Sequence, residues 1–151
     1  MNRSVRASGI HVRTDNLLLF LGEPGIASID LSKATKLKEV VFGLDSWSVK
    51  WITTALQTIT PEHQDIRQIL IHIPYHLFFY TSIGQVTRMA SSEGWLDLDR
   101  LLVQSWESRS IQPTAICATR REAEYNTRFC VTHLLPEITR RGMIVIDLVG
   151  R

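Results

Sequence analysis

The stretch that decides the fold is Leu37-Lys38-Glu39-Val40-Val41-Phe42, and its frame returns in Ile66-Arg67-Gln68-Ile69-Leu70-Ile71, which begins 29 residues later. Apolar residues occupy the first, fourth and sixth positions of both stretches. Met143-x-x-Ile146-x-Leu148 repeats this frame, and Ile111-x-x-Thr114-x-Ile116 fits it with one polar substitution. Such short stretches, rich in β-branched residues and bounded by turn residues, are typical of strands.

The intervals between these strands have a helical pattern. Apolar residues three and four positions apart predict amphipathic helices at residues 49–59, from Asp97 to Trp106 and at residues 122–135. Ser46 or Ser48 is predicted to cap the first helix, and Tyr125, Phe129 and Leu134 to face inward from the third. Strands that alternate with helices indicate an α/β fold, either a doubly wound sheet or a solenoid, and the internal repetition favours the solenoid.

The N-terminal region and one long connection have weaker patterns. Residues 1–13 are polar and are predicted to form a flexible arm, ahead of one domain at residues 14–151. Within that domain, Asp15 or Asn16 can cap a short helix through Phe20, and residues 27–31 are predicted to be extended. Residues 75–94 are interpreted as a loop or short helix, in which the aromatic run at 78–80 either binds a partner or packs under the connection.

Four segments carry a resemblance to a known family. They are residues 29–42, 55–63, 95–104 and 134–142, and they include Leu37-Lys38-Glu39-Val40-Val41-Phe42 and Leu134-Leu135-Pro136-Glu137-Ile138. From about residue 27 onward, the chain resembles the C-terminal part of uncharacterised fungal proteins of the F-box/leucine-rich-repeat type. The resemblance implies leucine-rich-repeat-like strand-helix repeats that form a short solenoid with a parallel sheet. The solenoid is expected to be irregular, because Asp45, Pro74, Thr119 and Arg151 stand where these repeats carry Asn or Cys.

The resemblance also implies a function. In such proteins an F-box binds the adaptor of a ubiquitin ligase, and the repeats select the substrate. Nothing ahead of residue 27 resembles an F-box, so we expect an unknown protein partner and no ligase adaptor. The chain is therefore predicted to be a non-catalytic protein-protein interaction module, derived from a substrate-recognition subunit. The alternatives are a truncated copy without independent function and a small α/β enzyme with an unrecognised site.

Composition bounds the remaining classes of function. The 151 residues include 17 Lys+Arg and 15 Asp+Glu, which give a net charge of +2 and predict no binding to nucleic acid. The longest apolar runs are far shorter than the roughly 20 residues that cross a bilayer. No signal-peptide core follows Met1, so we predict an intracellular protein, cytoplasmic or nuclear, without a membrane partner.

Residues with chemical potential are interpreted as structural. His72 and His76 have the spacing of a helical zinc pair, but Pro74 lies between them and disfavours a helix. Cys117 and Cys130 lie in apolar surroundings, where buried thiols are inert. Asp97 and Asp99 lie two positions apart at a predicted helix start, and helix capping explains both carboxylates. We therefore predict no catalytic residues, no metal site and no cofactor.

The repeat frame predicts one binding surface. If the apolar positions of the frame enter the core, the alternate residues of the same strands form the opposite wall of the sheet. Parallel stacking would align them, and they mix aliphatic with charged groups. The predicted partner-binding residues are Glu39, Val41, Gln68, Leu70, Val145 and Asp147.

Overall fold

The fold is a sheet whose strands follow one another in chain order. A computed structural model describes residues 4–7, 10–13, 17–21, 30–44, 46–78 and 82–149. Within these ranges seven strands form one sheet, in the order β1 to β7. The strands are β1 Ser4–Ala7, β2 Ile10–Arg13, β3 Leu17–Leu21, β4 Glu39–Gly43, β5 Gln68–Ile73, β6 Gln112–Thr119 and β7 Ile144–Leu148.

Helices connect the strands from β4 onward. One helix joins β4 to β5, two helices join β5 to β6, and two more join β6 to β7; a short 3₁₀ helix follows each of β5 and β6. The α-helices are α1 Lys50–Leu56, α2 Ile83–Ser92, α3 Trp95–Arg109, α4 Glu124–Leu134 and α5 Pro136–Arg140, and the 3₁₀ helices are Tyr75–Phe78 and Arg121–Ala123. Among the described residues, no helix is both long and apolar enough to span a bilayer.

The sheet is parallel over most of its width. β4, β5, β6 and β7 form a four-stranded parallel unit, and β3 adds to β4 in the same direction. β1 and β2 extend this edge with antiparallel pairing. Since each parallel step requires a crossover and the strand order never reverses, the chain builds an α/β fold in one direction across the sheet. The predicted α/β class with a parallel sheet is confirmed.

One face of the sheet carries the core. Val40 and Phe42 of β4 and Ile69 and Ile71 of β5 have no exposed surface, and alternation places them on the same face. Every α-helix contributes to the core cluster that contains them. The members of this cluster that lie in α-helices are Ile52, Ala55, Leu56, Val86, Ala90, Trp95, Leu98, Leu102, Cys130, Val131, Leu134 and Ile138.

A glycine allows α3 to begin against α1. Gly94 has a φ of 88°, in the left-handed region that disfavours a side chain. A Cβ atom on Gly94 would lie 2.8 Å from Cγ of Lys50, at the start of α1. The indole N–H of the next residue, Trp95, donates to the carbonyl oxygen of Trp47 at 2.8 Å. Residue 94 therefore brings two helix starts together, and the buried Trp95 fixes the preceding loop.

The structure differs from the sequence prediction near the N-terminus. The segments Ser4–Ala7 and Ile10–Arg13 are strands of the sheet, whereas a flexible arm was predicted for residues 1–13. The helix predicted through Phe20 is wrong, because Leu17–Leu21 is a strand that pairs with β4. A continuous apolar run of this length is compatible with either state, and pairing with a neighbouring strand decides it. Of the predicted extended piece at 27–31, residues 27–29 lie outside the described ranges.

Other differences concern ends and faces of helices. Neither Ser46 nor Ser48 caps α1, whose N-cap residue is Val49 without a side-chain hydrogen bond. Tyr125 was predicted to face inward from α4 but is 84% exposed. The long connection, predicted as loop or short helix, contains a 3₁₀ helix and the whole of α2. The side chains of its aromatic run at 78–80 lie outside the described part of the chain.

Candidate functional site

The face of the sheet opposite the core carries the predicted binding residues. Strand register aligns Glu39 with Gln68 in one row and Val41 with Leu70 in the next. On the far edge, Val145 and Asp147 of β7 face the same way, next to residues 116 and 118 of β6. The structure therefore places all six predicted residues on a single face of one parallel sheet. Whether they bind a partner stays a prediction.

This face has further members that sequence reasoning missed. Gln112 and Thr114 of β6 extend the two rows, and Ile116 lies between His72 and Val145 in a third. We call the residues on this side of the sheet the open face. None of them belongs to the core cluster that the described helices form. Its members are Glu39, Val41, Gln68, Leu70, His72, Gln112, Thr114, Ile116, Val145 and Asp147.

The repeat frame predicts the wrong inward residues for β6, because it is shifted by one position relative to the strand register. Thr114 and Ile116 were assigned to the core by Ile111-x-x-Thr114-x-Ile116, but Ala115 and Cys117 are the buried residues of this strand. The small side chains of Ala and Cys give a weaker apolar signal than Ile116, so the sequence favours the wrong alternation. The register aligns Pro113 with Ile69 and Ala115 with Ile71, so the inward residues of β6 are Pro113, Ala115 and Cys117.

The inward residues of β7 are also less buried than expected. Ile146 was predicted to enter the core and is half-buried, while Leu148 is 44% exposed although it aligns with the buried Thr119. β7 is paired only with β6 among the described strands. Its side chains therefore lack a neighbour on one side, which explains their partial exposure.

The exposed fraction of the aliphatic side chains on the open face increases from β4 toward β7. Val41 is 8% exposed, and Leu70 and Ile116 are half-buried between their strand neighbours. Val145 at the edge is 47% exposed. These aliphatic side chains form a band that runs diagonally from β4 to β7. Polar groups lie at both ends of the strands. A partner that covered the band would therefore displace water from the largest apolar area of this face.

The two acidic residues of the open face are far apart. Glu39 begins β4, whereas Asp147 lies near the end of β7, three strands away. With strands about 4.8 Å apart and about 3.3 Å per residue along each strand, the two positions are roughly 24 Å from each other. Paired carboxylates that share a proton or flank a bond need a separation below about 10 Å. The chemistry of these two groups is therefore that of separate surface charges.

The thiols belong to the core side. Cys117 and Cys130 have no exposed surface, which confirms the predicted burial. Burial raises the pKa of the Cys117 thiol to about 12 and that of Cys130 to about 11. Both sulfurs are therefore protonated at neutral pH, and the thiolate that nucleophilic catalysis requires is scarce.

The histidines are separated by their surroundings. His72 lies exposed on the open face, and His76 lies in the 3₁₀ helix beyond Pro74. His63 is buried: its Nε2 lies 2.7 Å from the carbonyl oxygen of Leu31, and its Nδ1 accepts from the N–H of Thr60 at 3.0 Å. No group of three His, Cys, Asp or Glu side chains in the described ranges is placed to hold a metal ion.

Comparisons of this chain with models of protein families, with curated proteins and with solved structures gave no match. The resemblance to F-box/leucine-rich-repeat proteins therefore stays a prediction from the segments quoted above.

Proposed function

We propose that this chain is a non-catalytic protein-protein interaction module of the leucine-rich-repeat type, and that the open face binds the partner. The observation that carries the proposal is the difference between the two faces of the sheet. All five described α-helices contribute to the core on one face, while the opposite face offers an aliphatic band with polar ends. Binding surfaces of proteins combine an apolar centre with a polar rim in this way.

The strand order supports the solenoid part of the proposal. In a stack of strand-helix repeats, each repeat adds one strand beside the last and places its helix on the same side. β4, β5, β6 and β7 follow that order, with intervening helices that share one core cluster. Val40 and Ile69 occupy the fourth position of the repeat frame and face the core. Ile146 has the same frame position and lies on the same face of the sheet. Descent from a ubiquitin-ligase subunit rests on the sequence resemblance alone.

A binding role agrees with the chemistry of the open face. Its acidic residues are too distant to act as a pair, and the cysteines of the chain lie on the other side of the sheet. Its central residues Val41, Leu70 and Ile116 contribute contact area and have no acid, base or nucleophile among them. A protein partner with an apolar patch and peripheral polar groups fits this arrangement.

The proposal is tested with variants on both sides of the sheet. A partner is first captured from the native cell with the tagged chain and identified by mass spectrometry, and its affinity is then measured with purified components. Leu70→Lys, and the pair Glu39→Lys with Asp147→Lys, should abolish its retention. Leu96→Lys and Asp97→Lys are matched controls on α3, where both side chains are exposed, and they should retain the partner.

The opposite pattern would contradict the proposal. A partner that is lost with Leu96→Lys and kept with Leu70→Lys would bind the helices instead of the sheet. Circular dichroism of each variant shows that the fold is intact before its affinity is interpreted.

A further inference from the structure

A cavity of about 540 Å³ lies where β4 and β5 end, away from the open face. One wall is Trp47, in the segment that follows β4. A second wall is His76 and Leu77 of the 3₁₀ helix that follows β5, and α2 supplies the rest. The volume is within the range of about 300–1,000 Å³ that is typical of small-molecule pockets.

The walls are fixed by hydrogen bonds outside the cavity. The carbonyl oxygen of Trp47 accepts from the indole of Trp95, and the N–H of Val49 donates to the carbonyl oxygen of Glu93 at 3.0 Å. The second bond joins the end of the Trp47 segment to the C-terminus of α2. At its other end, α2 begins with a reciprocal capping pair at Ser82. The hydrogen bond between Val49 and Glu93 therefore ties the Trp47 segment to the C-terminal end of α2, whose side chains line the cavity.

The lining combines apolar side chains with those of His76, Gln85 and Ser92 and with the guanidinium of Arg88. Trp47, Leu77 and Met89 contribute apolar surface. Arg88 contributes a guanidinium with five N–H donors, and no carboxylate belongs to the described lining. Within the described residues Arg88 makes no ion pair, although four other arginines do. Arg88 is exposed on α2, and a guanidinium next to apolar lining residues favours a ligand that is negative at one end.

We propose that this cavity binds a small organic anion. Its carboxylate or phosphate group accepts hydrogen bonds from Arg88, and its apolar, preferably planar body lies against Trp47 and Met89. A carboxylate and a phosphate offer the same paired oxygen acceptors to a guanidinium, so the shared requirement is an anionic head on an apolar body. This site is separate from the proposed partner surface, since it lies beyond the strand ends on the helical side.

Isothermal titration calorimetry tests the proposal with three probes that share one body: 2-naphthoate, 2-naphthyl phosphate and the neutral 2-naphthylmethanol. At least one anion should bind in a saturable way at millimolar concentration or below, and more tightly than the alcohol. Arg88→Gln should weaken binding of that anion by about tenfold or more, since a hydrogen bond to a charged group is lost. Whether the carboxylate or the phosphate binds better then identifies the preferred head group.

Two controls keep the test specific. Arg140→Gln removes an exposed guanidinium on α5, which does not belong to the described lining of the cavity, and should leave the affinity unchanged. Leu70→Lys alters the open face and should leave it unchanged as well, which separates this site from the proposed function. The proposal is overturned if neither anion binds at millimolar concentration, if the alcohol binds as tightly as both anions, or if Arg88→Gln and Arg140→Gln have equal effects.

Discussion

The carboxylate of Asp99 in α3 accepts a hydrogen bond from the backbone N–H of Ile138 at 3.0 Å, across 39 residues of sequence. Its second oxygen accepts from the N–H of Glu137 at 3.1 Å. These donors are in the first turn of α5, where backbone N–H groups have no partner within the helix. α5 is thus capped by a side chain from another helix, and the carboxylate joins α3 to the segment that leads into β7.

Removal of this cap should destabilise the fold. Asp99→Ala leaves the buried N–H of Ile138 without an acceptor, and we expect a loss of about 1–3 kcal/mol in the free energy of unfolding. Asp97→Ala is the control, because Asp97 is exposed and its ion-pair partner within the described ranges is Arg100. Its loss should be much smaller. Urea denaturation of both variants measures the difference, and equal losses would show that the cap contributes nothing.

The same carboxylate should make stability depend on pH. Burial raises the pKa of Asp99 above its ordinary value of 3.8, against the opposing effect of the N–H donors of Ile138 and Glu137. The folded state therefore binds this proton more tightly than the unfolded state does. The contribution is fully present below pH 3.8 and is lost as the pH rises through the pKa of the folded protein.

Asp99→Asn isolates that contribution, because an amide does not titrate in this range. The free energy of unfolding of the unaltered chain, minus that of Asp99→Asn, should decrease as the pH rises above 3.8. Urea denaturation at several pH values measures it. An increase of this difference with pH would mean that the N–H donors outweigh burial and lower the pKa.

The sequence predicts those elements of the fold whose pattern is set by residues close together in the chain. β4 and β5 follow from apolar alternation, and α3 from its helical period, because neighbours in sequence determine both patterns. The capping role of Asp99 could not be predicted in this way. The spacing of Asp97 and Asp99 suggested a cap for their own helix, whereas the acceptor of α5 is fixed only when α3 and α5 pack.

The candidate surface was predicted on three of the four strands of the unit formed by β4, β5, β6 and β7. β4, β5 and β7 present large apolar residues at the inward positions, so their alternation has one clear phase. In β6 the inward residues Ala115 and Cys117 are small, and Thr114 and Ile116 compete with them for the apolar positions. The missing residues became visible only through the pairing of β6 with β5.

Two adjacent leucines of α3 should differ in their contribution to stability. Leu102 is 1% exposed in the core cluster, and Leu102→Ala should cost about 2–5 kcal/mol. Leu101 is half-buried at the edge of the same cluster, so Leu101→Ala should cost clearly less. The helical period between Asp97 and Trp106 alone places both leucines on the apolar face and predicts the larger cost for both. Thermal or urea denaturation ranks them, and a larger loss for Leu101→Ala would reverse the assignment of the helix face.

The thiols should be unreactive in the folded chain. Burial removes access to Cys117 and Cys130 and raises the pKa of both, so iodoacetamide at neutral pH should modify neither at an appreciable rate. Both should react rapidly in urea. Mass spectrometry during labelling follows the two sites separately. Rapid modification of either site without denaturant would contradict the burial on which the interpretation rests.

A pair of neighbouring residues in β5 tests whether the sheet is covered on one face only. Leu70 lies on the open face and Ile71 in the core, where it has no exposed surface. Leu70→Lys places its ammonium group toward solvent, because a long side chain can extend past its strand neighbours. We expect its free energy of unfolding to change by no more than about 1 kcal/mol. Ile71→Lys buries a charge without a partner and should unfold the chain. Circular dichroism and thermal melting compare the two variants. If Leu70→Lys also unfolds the chain, both faces of the sheet are covered as in a doubly wound fold, and the proposed binding surface must be abandoned.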